Sequence, residues 1–106
     1  MKKEIADKRI SALRSGKYQQ TRGHLRDSKG YCCLGVLCDI SGISEWKELD
    51  TYEGDCKYLP RSVMEWSGMS SFWGSIPESD GLANKNDKGE SFNGIADIIE
   101  TNWEIL

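Results

Sequence analysis

The stretch Tyr31-Cys-Cys-Leu-Gly-Val-Leu-Cys-Asp-Ile40 decides how this chain folds. From Cys33 to Ile40 it is almost wholly apolar, with Leu34, Leu37 and Cys38 at helical spacing and Gly42 just beyond as a stop. That pattern predicts a buried central helix. A buried strand is the competing assignment, because so short an apolar run fits either element. The run is far below the roughly 20 residues that a membrane-crossing helix needs. Nor does the start of the chain show the charged-then-apolar order of a signal peptide, so the expectation is a soluble intracellular domain.

Working outward, residues 3–15 predict an amphipathic helix with Ile5, Ala6, Ile10 and Leu13 on one face. Glu4 and Asp7 come early in it and Lys8, Arg9 and Arg14 late, in keeping with the helix dipole, and Gly16 is its stop. His24 to Cys33 reads as a short β-hairpin, with Asp27, Ser28, Lys29 and Gly30 supplying the turn. Residues 43–58 alternate acidic and aromatic side chains and predict a loop with at most one short strand. Pro60 opens a helix carrying Val63, Met64 and Trp66, closed by Gly68. Residues 69–90, rich in Ser, Gly, Asn and Asp, predict a long ordered loop anchored by Phe72, Trp73 and Ile76. The last helix is the clearest: Ser91 caps it, and Phe92, Ile95, Ala96, Ile99 and Trp103 follow at helical periodicity. The expected fold is therefore a single α+β domain over residues 1–106, with three to four helices around the buried central one and a short hairpin.

A length of 106 residues fits one small core, and 38% hydrophobic content excludes wholesale disorder. The formal charge of −3 points to no partner by itself, but it conceals a split. Residues 1–30 hold nine Lys/Arg against three Asp/Glu, a balance of +6; the remaining five and fourteen give −9. Clustered basic side chains raise the local concentration of phosphates and other anions.

Cys32, Cys33, Cys38, Cys56 and His24 are the residues with intrinsic chemistry. Their spacing does not make the paired knuckles of a zinc site, so no metal is expected. A disulfide framework is disfavoured in a cytosolic protein. A sharper reading makes Cys33 a nucleophile at a helix start, with His24 as base and Asp27 or Asp39 orienting the ring. The competing reading, that Cys32, Cys33 and Cys38 are small hydrophobes in a core helix, is favoured. Asn84, Asn86, Asp87 and Gly89 have the look of a calcium loop, but counting from Gly89 as the sixth position puts Ile95 where the glutamate should stand. No glycine-rich phosphate loop exists; Gly35 is expected to permit close helix packing. No cofactor is implied.

Between the first helix and the turn runs Lys17-Tyr-Gln-Gln-Thr-Arg-Gly-His-Leu-Arg26. In an extended segment His24 and Arg26 face one side and Arg22 can join them. Arginine forks suit phosphate oxygens and Tyr18 offers a stacking face. The expected ligand site is thus Lys17, Tyr18, Arg22, His24 and Arg26, and the expected ligand a small nucleotide-like anion. Against duplex DNA stand the net negative charge and the lack of a recognisable DNA-binding module.

The strings Tyr31-Cys-Cys-Leu-Gly-Val-Leu-Cys-Asp39, Leu59-Pro-Arg-Ser-Val-Met-Glu-Trp66 and Leu82-Ala-Asn-Lys-Asn-Asp-Lys-Gly-Glu-Ser-Phe92 resemble a group of small bacteriophage-encoded proteins. The resemblance extends to Leu13-Arg-Ser-Gly-Lys-Tyr18 and Arg22-Gly-His-Leu-Arg26. It implies a viral protein acting in the host bacterial cytoplasm, and carries no settled activity or catalytic residues. The leading expectation is a non-enzymatic accessory protein that antagonises a host defence system by sequestering a phosphate-bearing ligand. Two alternatives stand beside it: an inhibitor docking a host protein through the acidic, aromatic surface at 45–58 and 65–80, and a cysteine hydrolase using Cys33 and His24. Homo-oligomerisation is left open.

Overall fold

A computed structural model describes residues 1–106. Five helices and one two-stranded antiparallel hairpin follow one another along the chain: α1 (Lys3–Arg14), α2 (Cys33–Ser41), β1 (Trp46–Lys47), β2 (Thr51–Tyr52), α3 (Arg61–Ser67), α4 (Leu82–Asp87) and α5 (Phe92–Asn102). The α+β class and the buried central helix are as expected. Every residue from Cys33 to Cys38 is buried, and α2 touches α1, α3 and α4. Burying Leu34, Val36 and Leu37 completely contributes about 1.5–3 kcal/mol each. The Cys32 sulfur accepts the Gly35 amide at 3.4 Å as the α2 cap, and Gly42 ends the helix in the left-handed conformation at φ +63°.

Helix α5 forms where its cap and periodicity put it. Ser91 accepts the Gly94 amide at 3.1 Å, and Phe92, Ile95, Ala96 and Ile99 are buried, mainly against α1. Arg14 closes that pair from outside, reaching Asp97 at 2.6 Å and Glu100 at 3.1 Å. Helix α1 buries Ile5, Ala6, Ile10 and Leu13, and with them Arg9. The sequence placed Arg9 only as one of the late basic residues of the helix, and its charge does not keep it at the surface. Instead its Nη2 donates to the Cys33 carbonyl at 2.9 Å, its Nη1 lies 3.9 Å from the Met69 sulfur, and its Nε has no partner.

Three further expectations need correction. The turn at Asp27–Gly30 forms, closed by the Asp27 amide on the Gly30 carbonyl at 2.8 Å, but no hairpin spans His24 to Cys33. Only isolated pairings join Tyr31 to Gln20 and to Arg26. The ladder stops at Leu25: its carbonyl accepts the Cys32 amide at 3.0 Å as a hairpin requires, but its own amide donates to the Cys56 carbonyl at 2.7 Å instead of back across to Cys32. The hairpin sits instead in the acidic segment, where Trp46 pairs with Tyr52 and Lys47 with Thr51, and the two rings meet edge-on at 4.9 Å. Finally, α4 interrupts the segment expected to be a loop, and of its expected anchors Phe72 and Trp73 stand 44% and 43% exposed.

Candidate functional site

Segment 17–31 crosses the molecular surface in front of α2, held at its middle by Leu25. Gly35 lets it approach: a Cβ there would overlap the Leu25 carbonyl, so only glycine allows backbone and helix to touch. At the far end of the segment, Asn86 of α4 ties three pieces together. Its Oδ1 accepts Gln20 Nε2 at 2.8 Å and the Cys33 amide at 3.2 Å, and its Nδ2 donates to the Thr21 carbonyl at 2.8 Å. The residue expected to decorate a polar loop is a buried strut instead.

This strapping divides the expected ligand site. Lys17 and Arg26 come together with Lys29 around a cleft of about 340 Å³ whose other lining includes Gln19, Ser28, Tyr31 and Leu49. Arg26 is fixed by its Nε, which donates to the Leu49 carbonyl at 2.7 Å, and by the Trp46 ring, whose centroid lies 4.7 Å from its Cζ. Its terminal nitrogens are left free, and none of Lys17, Arg26 and Lys29 is in an ion pair. The one carboxylate of the cleft, Asp27, is occupied within the turn: Oδ2 accepts the Thr21 hydroxyl at 2.6 Å, and Oδ1 the amides of Lys29 and Gly30. The Thr21 hydroxyl first and the Lys29 amide second hold it below the usual carboxylate range.

Tyr18, His24 and Arg22 are not part of this cleft. Tyr18 donates to Asp39 at 2.6 Å and sets its ring edge-on to Tyr31; burial, reinforced by Asp39, pushes its phenol upward. Its role is to brace the aromatic row Tyr31–Trp46–Tyr52 behind Arg26. His24 lines a separate recess, because the chain bends through residues 22–25 with Gly23 at φ +86°. Arg22 is exposed near Gly89. Lys29, which sequence reasoning took only as a turn residue, is the cation that joins Lys17 and Arg26; its place in the turn directly after Arg26 was the available signal.

The recess that His24 lines measures about 60 Å³ and has Cys32, Lys57, Tyr58, Asn84 and Asp87 among its other lining residues. His24 Nδ1 lies 3.6 Å from the Asp50 carboxylate, so neither Asp27 nor Asp39 orients the ring. Cys33 is fully buried with its sulfur 3.6 Å from the Leu82 carbonyl, and burial pushes its thiol up to about 12. Cys38 is likewise buried and pushed upward, and burial takes Cys32 to about 11. Cys56 alone is exposed. No group of three or more His, Cys, Asp or Glu side chains is placed to hold a metal ion.

A third surface lies apart from both. Tyr58, Phe72 and Trp73, all exposed by 42–44%, wall a groove of about 410 Å³ with Leu59, Asp55 and Arg61. The loop that presents them is tied down at two points, where the Phe72 and Trp73 carbonyls accept the Leu59 and Ala83 amides at 3.0 and 3.1 Å. No helix of the protein is long and apolar enough to cross a membrane.

No curated protein and no solved structure matches the chain. Residues 1–103, nearly its whole length, match the family described as a domain of unknown function, DUF8296, and the chain belongs to that family.

Proposed function

We propose that this chain is a bacteriophage-encoded accessory protein of the host cytoplasm that antagonises a host system by capturing a small phosphate-bearing ligand in the cleft between Lys17, Arg26 and Lys29. The observation that carries the reading is the convergence of three cations without acidic partners on one cleft whose single carboxylate is already hydrogen-bonded. Cations left unpaired beside one another repel, and an anionic ligand relieves that repulsion while accepting their hydrogen bonds. The cleft volume is of the order that small-molecule sites have. Tyr31 and Leu49 supply apolar faces beside the charges, which favours a nucleotide over inorganic phosphate.

Isothermal titration with a nucleoside diphosphate and with the corresponding nucleoside tests this. The diphosphate should bind, the nucleoside should not, and affinity should fall as salt rises. Lys17→Gln combined with Lys29→Gln should remove binding while leaving the urea midpoint unchanged, since both side chains are exposed. Undiminished binding by the folded double variant would sink the assignment. The exposed Tyr58–Phe72–Trp73 groove favours a second reading, docking of a host protein. Under that reading the Phe72→Ser, Trp73→Ser variant loses its partner in a pull-down and the Lys17→Gln, Lys29→Gln variant keeps it.

A further inference from the structure

The recess beneath His24 holds a constellation that ligand capture in the cleft does not use. We propose that Cys32, His24 and Asp50 form an acyl-transfer site that hydrolyses small activated esters or thioesters, with Cys32 as nucleophile, His24 as base and Asp50 positioning the imidazole. Cys32 and His24 line the same recess. The Asp50 carboxylate stands 3.6 Å from Nδ1, which leaves Nε2 as the nitrogen able to take a proton. Cys32 is 5% exposed; its sulfur accepts the Gly35 amide, but its own S–H has no acceptor in the protein. A thiol proton without a partner, on a residue that shares the lining of a small recess with an imidazole, is what a nucleophile awaiting substrate requires.

Position and size define the substrate. The sulfur caps the N-terminus of α2, where the helix dipole and the Gly35 and Leu34 amides favour negative charge as it develops. The recess of about 60 Å³ takes an acetyl-sized group and excludes a peptide chain. Asn84 and Lys57 line it with side-chain donors that have no hydrogen-bond partner, available to a carbonyl oxygen becoming an oxyanion. Asp87, also at the recess, is held by the Gly23 amide at 3.0 Å and Asn86 Nδ2 at 3.3 Å. Cys32 and His24 are not hydrogen-bonded in the resting protein, a contact that such sites often close only with substrate in place.

The resting thiol is neutral, so the attack follows the pattern of a hydroxyl nucleophile. As Cys32 Sγ bonds to the acyl carbon, its proton passes to His24. The bond from that carbon to the ester oxygen or thioester sulfur then breaks, and the leaving group takes the proton from the imidazolium. Water, deprotonated by His24, attacks the acyl-enzyme; the carboxylic acid departs and the thiol is restored.

The test uses the full chain carrying Cys56→Ser, which removes the exposed thiol, with 4-nitrophenyl acetate as the probe. The expected result is a burst of nitrophenolate equal to the protein concentration and an acetyl group on Cys32 in the peptide map. His24→Ala should slow the burst about 100-fold, the range of lost acid–base assistance, and added imidazole should restore it. Asp50→Asn should slow it at least about tenfold. Cys32→Ser retains a good helix cap, so it should stay folded by circular dichroism and lose the burst. Cys33→Ser should keep it. Absence of acetyl from Cys32, or a burst that His24→Ala leaves unchanged, overturns the proposal.

Discussion

Asn86 offers the most quantitative test of how the segment in front of α2 is held. Asn86→Ala deletes hydrogen bonds to Gln20, Thr21, Cys33 and Asp87. Gln20 and Asp87 reach solvent and can turn to water, but the Cys33 amide and Thr21 carbonyl lie against the interior and lose the partner Asn86 gave them. Each such orphan costs about 1–3 kcal/mol, and the small void left by the amide adds about 1 kcal/mol. The expected loss is therefore about 3–7 kcal/mol, a large share of the roughly 5–15 kcal/mol a domain possesses. Urea denaturation at neutral pH should show a lowered midpoint with an unchanged slope. Asn86→Asp separates the donor and acceptor roles: it keeps the acceptor for Cys33 but sets a buried carboxylate against the Thr21 carbonyl and Asp87. Burial and like charge raise that carboxyl above its unfolded value of about 3.9, so the native state of the variant binds the extra proton. Its stability relative to the parent should accordingly rise as the pH falls from neutrality toward about 4, because the protonated form again donates. A loss below about 1 kcal/mol for Asn86→Ala, or a deficit in Asn86→Asp that does not shrink on acidification, would refute the strut.

Arg9→Met should leave stability unchanged or raise it by about 1–3 kcal/mol in the same assay, since it removes a buried charge whose Nε has no partner; a loss above about 1 kcal/mol would show that the bond to the Cys33 carbonyl outweighs desolvation. Gly35→Ala should cost at least about 3 kcal/mol or prevent folding, because the added methyl meets backbone that cannot give way; a normal thermal midpoint would contradict the close approach. Phe72→Ser with Trp73→Ser should change the urea midpoint by less than about 1 kcal/mol, as befits rings that serve a surface.

Helix α2 was legible from its apolar run and the Gly42 stop, and α5 from the Ser91 cap and its apolar period. Helix α4 was not, since Leu-Ala-Asn-Lys-Asn-Asp has poor helix propensity and only six residues. It exists because Leu82 and Asn86, one turn apart, both face inward, a spacing its polar composition obscured. Arg9 escaped for a related reason: it lies one turn from Ile5 and from Leu13 on the apolar stripe of α1, and its charge drew attention from its position. Lys17 and Arg26 line one cleft, whereas grouping His24 with Arg26 assumed a strand periodicity that the bend at 22–25 removes. Separating Cys32 from Cys33 depended on the first helical residue: both are buried, but only Cys32 lines the recess beside His24.

Leu25 gives these observations a thermodynamic consequence. It is the residue between His24 and Arg26, fully buried, with its amide on Cys56 and its carbonyl beneath α2. The recess and the cleft thus hang from one fixed point of the chain, two residues apart. If an occupied cleft changes binding in the recess by some factor, linkage requires an occupied recess to change binding in the cleft by the same factor.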